Sequence, residues 1–406
     1  MPFLQVLRWV LLIMEICIAG PILYLCVLSL SAVLVTKRRK VSNIPATELS
    51  RPNFAILVPA HNEEAMLNIL LASLAALAYP RSRYTVYVVA DNCTDKTAEE
   101  ARANDRVQVY ERFDDTKRGK GYALNWLLQK LKEDRHIHDA YVVLDADSVV
   151  EPTFLQPMER ELVRGAQALQ AHNNVLNIVD SPSTALRWLA LSLMNHVRPL
   201  GRNGLGASST LTGNGMCLSH DLLTRYPWQA FSAGEDYQYY LTLVEQGERV
   251  RYVHDAVVRS HMPVTFAQMR TQDIRWESSV GQGRQSVWRI ALRLVRAGLK
   301  YRDLARIEAV AELLTPPLSL MMGWCALILI FSLLVWSLPT LMIALMLTAG
   351  LMGYIASALY LLHPPRVVYL ALFQAPRFVA WKLWVYLVLK RSKHSSEWIR
   401  TSRGIS

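Results

Sequence analysis

Two carboxylates one residue apart, Asp145 and Asp147, close the apolar run Tyr141-Val142-Val143-Leu144. A buried carboxylate is costly unless it is paired or holds a metal. Mg2+ and Mn2+ prefer hard oxygen donors, one or two from protein carboxylates and others from substrate phosphates. The pair therefore points to a divalent metal handling a phosphate; a strand-ending turn explains one aspartate but not both. A second acidic pair, Glu235-Asp236, opens the helical stretch Tyr237 to Gln246, where the helix dipole favours ionised carboxylates. It reads either as helix capping or as acid–base machinery, with Asp236 as the catalytic candidate.

Three further clusters carry polar groups. Val58-Pro59-Ala60-His61-Asn62-Glu63-Glu64 and Val89-Ala90-Asp91-Asn92-Cys93-Thr94-Asp95 put carboxylates and amides where the ribose and base of a nucleotide can be held. For Asn62 and Asp91 the competing reading is turn and N-cap chemistry. Thr212-Gly213-Asn214-Gly215 is a tight backbone turn. Thr265 to Val280 reads as helix, with Gln272, Arg275 and Trp276 on one face. Such a face suits a sugar diphosphate, because Arg forks onto phosphate and Trp stacks on a pyranose ring. Taken alone, it equally fits an amphipathic helix on a membrane.

These groups need a frame. Phe54–Val58, Thr85–Ala90, Val107–Tyr110 and Tyr141–Leu144 are β-rich runs, each followed by polar residues and then a helical pattern. That alternation predicts a doubly wound α/β sheet, whose ligands gather at the carboxyl ends of the strands.

The 406 residues carry 44 Lys+Arg against 33 Asp+Glu, a net charge of +11, with 52% hydrophobic and 19% charged residues. Disorder is excluded, and the apolar residues cluster at the ends. Trp9 to Val35 suffices for a membrane span. Lys37-Arg38-Arg39-Lys40 follows it, which by the positive-inside rule places the remainder in the cytoplasm. Leu313 to Leu338 and Thr340 to Leu362 read as a hairpin of two further spans. Val367 to Leu389 contains Pro376, Arg377 and Lys382 and reads as an interfacial or re-entrant helix. Val287 to Arg306, apolar residues among arginines, reads as an amphipathic helix on the membrane surface. The basic charge lies beside apolar segments, so its partner is a lipid bilayer and not nucleic acid. The five cysteines include no C-x-x-C, so neither a disulfide framework nor a zinc site follows. The expected division is 1–40 (span and basic stop), 41–285 (catalytic domain), 286–312 (interfacial helix), 313–362 (two spans) and 363–406 (interfacial helix and tail).

In order, V-P-x-H-N-E, D-N-C-T-D, Lys120-Gly121, D-A-D, G-E-D and Q-x-x-R-W resemble glycosyltransferase family 2, over residues 54 to 276. Its GT-A fold enzymes include polysaccharide synthases and ceramide glucosyltransferase. The resemblance implies an inverting transfer from a UDP-sugar, with Mg2+ or Mn2+ as cofactor. It assigns Asp91 to the uracil or ribose, Asp145 to the nucleotide, Asp147 to the metal, Lys120 to the nucleotide or diphosphate, and Asp236 to the general base. Arg275 would neutralise the departing diphosphate, Trp276 would line the acceptor site, and Gly213, Asn214 and Gly215 would form an acceptor-side loop. His261 departs from this pattern and reads as a strand-end histidine before a metal ligand. The expected acceptor is a growing polysaccharide or oligosaccharide, with a membrane lipid as the alternative and a non-catalytic binding or export subunit as a remote third. Three spans are few for a polymer channel, which points to a homo-oligomer or export partner. A bacterial inner membrane is the expected location.

Overall fold

Strand β1, Phe54–Ala60, is buried along its whole length. That suits a strand covered by helices on both faces. A computed structural model of the chain describes residues 2–38, 51–264 and 284–391. They divide into two units, one of residues 51–177 and 208–264, the other of 2–38, 178–207 and 285–391.

In the first unit, β1 lies between two parallel neighbours, β2 (Tyr84–Asp91) and β4 (Ala140–Val143). Strand β3 (Val107–Arg112) is parallel to β2 at the edge. Phe54, Ile56 and Val58 point into one apolar layer with Leu70 and Leu74 of helix α2 (Leu67–Ala75) and Leu155 and Met158 of α5 (Leu155–Val163). Helix α4, Lys120–Glu133, buries Ala123, Leu124, Leu127 and Leu131. The chain thus turns outward in both directions from β1, and polar groups placed after β1, β2 and β4 converge there.

The far half differs from a uniformly parallel sheet. The eight strands run β3-β2-β1-β4-β7-β6-β8-β5, and β7 (Met216–Ser219) is antiparallel to both β4 and β6 (Ala168–Val175). Strand β8 (Val250–Ser260) is parallel to β6 with a register shift at Ala171/His172, and β5 (Ser148–Val150) closes the edge antiparallel to β8. The sheet is mixed.

The second unit holds helix α1, Pro2–Arg38, and a helix over Leu338–Leu362, both long and apolar enough to cross a membrane. The expected span from Leu313 to Leu338 is broken. One helix ends at Leu314, the next runs Leu318–Leu334, and the two are bent by 65°. Pro316 and Pro317 cause the break, since proline lacks the donor and forces its predecessor out of the helical region; Thr315 has ψ 119°. If the bent pair counts as one span, the described residues hold three helices or helix pairs long and apolar enough to cross a membrane. The C-terminal segment is also interrupted, as Arg366–Ala371, a tight turn at Leu372–Gln374, and Ala375–Arg391.

Residues 178–207 were expected inside the catalytic domain, yet they belong to this second unit. They contain helix α6, Pro182–Ser192, capped by Ser181, and α7, Arg198–Gly204. Buried arginines explain the placement. Arg202 donates through Nε and Nη2 to the two carboxylate oxygens of Glu308 at 2.7 and 2.8 Å. Arg198 donates to Tyr354 Oη at 2.9 Å and to Glu312 at 3.3 Å, and the Tyr24 hydroxyl donates to both glutamates. A Cβ on Gly201 would lie 2.3 Å from the Leu28 carbonyl oxygen, so α7 meets α1 backbone to backbone.

Candidate active site

The loops after β1 and β2 are tied together. Asn62 and Asn92 adopt left-handed backbone conformations, φ 55° and 49°, which asparagine tolerates better than most residues. Asn62 Oδ1 accepts from the Thr94 amide at 2.8 Å, the Glu63 amide donates to Thr97 Oγ1 at 2.8 Å, and Asn92 Oδ1 accepts from the Asp114 amide at 2.8 Å. In this geometry these residues hold turns. His61 Nδ1 lies 2.7 Å from the Asp91 carbonyl oxygen, and Pro59 is buried in β1.

Asp91 ends β2 fully buried. Arg112, at the end of β3, donates to its Oδ1 at 2.5 Å and to Asp114 at 2.9 Å. Among the described residues, no donor lies within hydrogen-bond distance of Asp91 Oδ2. Burial pushes this carboxyl above its ordinary value, against the pull of Arg112. Sequence reasoning passed over Arg112, because only the pairing of β3 with β2 sets it opposite Asp91.

Asp145 and Asp147 flank buried Ala146 and are themselves partly exposed, so the one-residue spacing turns both carboxylates away from the core. Asn214 carries the support beneath them. Its Oδ1 accepts from the Asp145 amide at 3.1 Å, and its Nδ2 donates to Ser148 Oγ at 2.8 Å and Ser260 Oγ at 2.9 Å. The side chain is buried and its amide is engaged in this hub. Gln170, buried in β6, donates to the Asn214 carbonyl and accepts from the Thr212 amide. No signal in the sequence marked that role, since β6 also carries His172, Asn173 and Asn174.

Gly213 and Gly215 both have φ 75°. A Cβ on Gly215 would lie 2.6 Å from Ala171 Cβ, and one on Gly213 would lie 3.0 Å from Asp236 Oδ2 and 3.3 Å from Lys120 Nζ. The turn therefore passes against the acidic pair. Lys120 Nζ pairs with Asp145, donates to the Gly213 carbonyl at 2.9 Å and lies 3.9 Å from Glu235. Gly121 lets α4 approach, since a Cβ there would strike the Ala230 carbonyl oxygen at 2.2 Å. Tyr122 and Phe231 stack with centroids 4.5 Å apart.

Helix α9, Glu235–Gln246, begins at the pair. Glu235 is buried, whereas Asp236 is half-buried and able to meet a substrate. Burial, reinforced by Asp236, raises the Glu235 carboxyl to about 7; burial also raises Asp236, against the pull of Lys120. Burial alone would lower the Lys120 ammonium, but Asp145 and Glu235 outweigh it and hold it above the ordinary lysine value.

Metal donors are sparse. The His261 amide lies 3.5 Å from the Asp147 carbonyl oxygen, and among the described residues no three His, Cys, Asp or Glu side chains gather to hold an ion. Asp147 fits a cation that arrives with a diphosphate and takes most of its ligands from phosphate and water. Gln272, Arg275 and Trp276 lie outside the described residues.

Among known proteins, a beta-monoglucosyldiacylglycerol synthase from Nostoc sp. is 32% identical over 182 residues, 43% of this chain and 37% of that one. A probable glucomannan 4-beta-mannosyltransferase from Oryza sativa subsp. japonica is 25% identical over 240 residues, 57% of this chain and 43% of that one. The chain thus matches less than half the length of either relative. A solved mannosyltransferase from Pyrobaculum calidifontis, in complex with GDP-Man and Mn2+, shares the fold at 18% identity and a TM-score of 0.55, covering 96% of this chain and 100% of that one. A family model described as glycosyltransferase like family 2 matches residues 52–279, more than half of the chain. With its mixed α/β sheet and acidic pairs at the strand ends, the chain belongs to glycosyltransferase family 2 and has the GT-A fold.

Proposed function

We propose that the chain is an inverting glycosyltransferase that moves a hexosyl group from a UDP-sugar to the hydroxyl of a diacylglycerol-type membrane lipid. The carrying observation is Asp236, a half-buried carboxylate at the start of α9, beside Gly213 and the Lys120–Asp145 pair. A base raised toward neutral pH takes a hydroxyl proton more readily. Asp236 removes the proton of the acceptor oxygen as that oxygen attacks the anomeric carbon from the face opposite the departing diphosphate. Lys120 holds Asp145 toward the nucleotide, and Asp91 offers its remaining oxygen to the nucleoside. Asp147 is the protein ligand for Mg2+ or Mn2+, which would supply charge neutralisation at the diphosphate. Arg275 and Gln272 would add to that side and Trp276 to the acceptor side, on the strength of the family pattern.

The lipid acceptor is supported by the glucosyldiacylglycerol synthases among the relatives and by a unit with membrane-spanning helices. A growing glycan is the second reading, supported by the glucomannan mannosyltransferases, whose match takes in more of this chain. The cytoplasmic side of a bacterial inner membrane remains the favoured location, because basic residues follow α1. The test is nucleoside diphosphate release by detergent-solubilised protein with a panel of UDP- and GDP-sugars and either diacylglycerol or an oligosaccharide acceptor. Release with one donor, a single glycolipid product and loss on EDTA treatment are expected. A ladder of products shifts the reading to the glycan; turnover only with GDP-sugars overturns the donor.

A further inference from the structure

The helix Arg284–Tyr301, α10 in chain order, uses one face inward. Ala291 and Leu294 are buried, and Gly298 is pressed on the following helix, where a Cβ would lie 2.6 Å from Ile307 Cγ1. The outer face carries two rows side by side. Trp288 (66% exposed), Leu292 (49%) and Leu299 (66%) form an apolar row. Arg289, Arg293, Arg296 and Lys300 form an exposed basic row one residue further round. No acidic residue occurs between Arg284 and Arg302, and the apolar exposure continues through Tyr301 and Leu304.

We propose that this outer face of α10 lies flat on the bilayer and selects membranes whose headgroups carry net negative charge. Charge complementarity argues for it, since the exposed Arg289 and Arg296, in a stretch of chain without an acidic residue, match anionic lipid phosphates. The adjacency of the rows argues for a plane and against a groove: the apolar side chains enter the acyl boundary while the long basic ones extend to the headgroups above it. Continuity argues as well, because Leu304, three residues on, starts the bent pair of apolar helices and keeps α10 beside the membrane. A neutral surface would accept the apolar row and give the basic row no added electrostatic attraction.

The test reads lipid contact and is independent of sugar transfer, so its failure is separable from that of the proposed reaction. The full chain, carrying the photocrosslinker p-benzoyl-L-phenylalanine in place of Leu292, is reconstituted into phosphatidylcholine vesicles or into mixtures with phosphatidylglycerol. Lipid adducts on the α10 peptide are measured by mass spectrometry. We expect several-fold more adduct with phosphatidylglycerol, falling about fivefold for each of the substitutions Arg289→Gln and Arg296→Gln, and falling again at high salt. Equal adduct in the two vesicle types, or no response to the substitutions, overturns the charge selectivity. Crosslinking to a second copy of the chain overturns the bilayer as occupant.

Discussion

Lys120 stands among Asp145, Glu235 and Asp236, so the cluster contains more acid than base. The excess shows in Glu235, whose carboxyl is raised to about 7. A carboxyl raised by folding stabilises through its protonated form; that contribution is complete below the ordinary glutamate range and is lost as pH rises through about 7. Glu235→Gln keeps the neutral shape. Between about pH 6 and about pH 8 its unfolding free energy should fall less than that of the unmodified chain, by a difference on the order of 1 kcal/mol. Parallel curves would show that Glu235 does not titrate there. Asp236→Asn is expected to lower turnover about 10²- to 10⁴-fold while leaving UDP affinity within a factor of about two. Isothermal titration beside an activity assay separates these effects, and undiminished turnover would remove Asp236 as the base. Gly213→Ala places a methyl 3.0 Å from Asp236 Oδ2 on a φ of 75°. Turnover should suffer more than donor affinity, read as kcat against donor KM.

At the scale of elements, the parallel half of the sheet was legible because each of β1 to β4 is a β-branched or aromatic run followed by a polar turn. The acidic ends of those strands were legible for the same reason, since carboxylates after buried strands are chemically conspicuous. The supports were not. Arg112 is conspicuous only once β3 lies beside β2, and Gln170 and Asn214 act through contacts made across the sheet. The break at Pro316-Pro317 was legible in principle, but hydropathy alone ran through it. Helix α7 was illegible because its arginines need partners distant in sequence. Its approach to α1 gives an element-scale prediction: Gly201→Ala forces a methyl against the Leu28 carbonyl and should destabilise the detergent-solubilised protein by about 1–3 kcal/mol. A thermal scan followed by size exclusion reads it, and an unchanged midpoint would mean that the two helices can part without cost.

The whole molecule combines a mixed sheet that carries the acidic cluster with a set of apolar helices. Its two helices of spanning length predict that the chain stays with the membrane pellet after an alkaline carbonate wash and leaves it only with detergent. Release by carbonate alone would reassign those helices to contacts within protein. The salt bridges of the second unit also set a timetable. Arg202 and Glu308 are separated by 106 residues. At about 5–20 residues per second a ribosome needs roughly 5–20 s to make that interval. Throughout it, the newborn helix holds a guanidinium whose counter-charge has not been synthesised. A chain cut short before residue 308 never receives that carboxylate, so the ion pair that ties α7 to the helix after Asp303 forms only once translation has passed it.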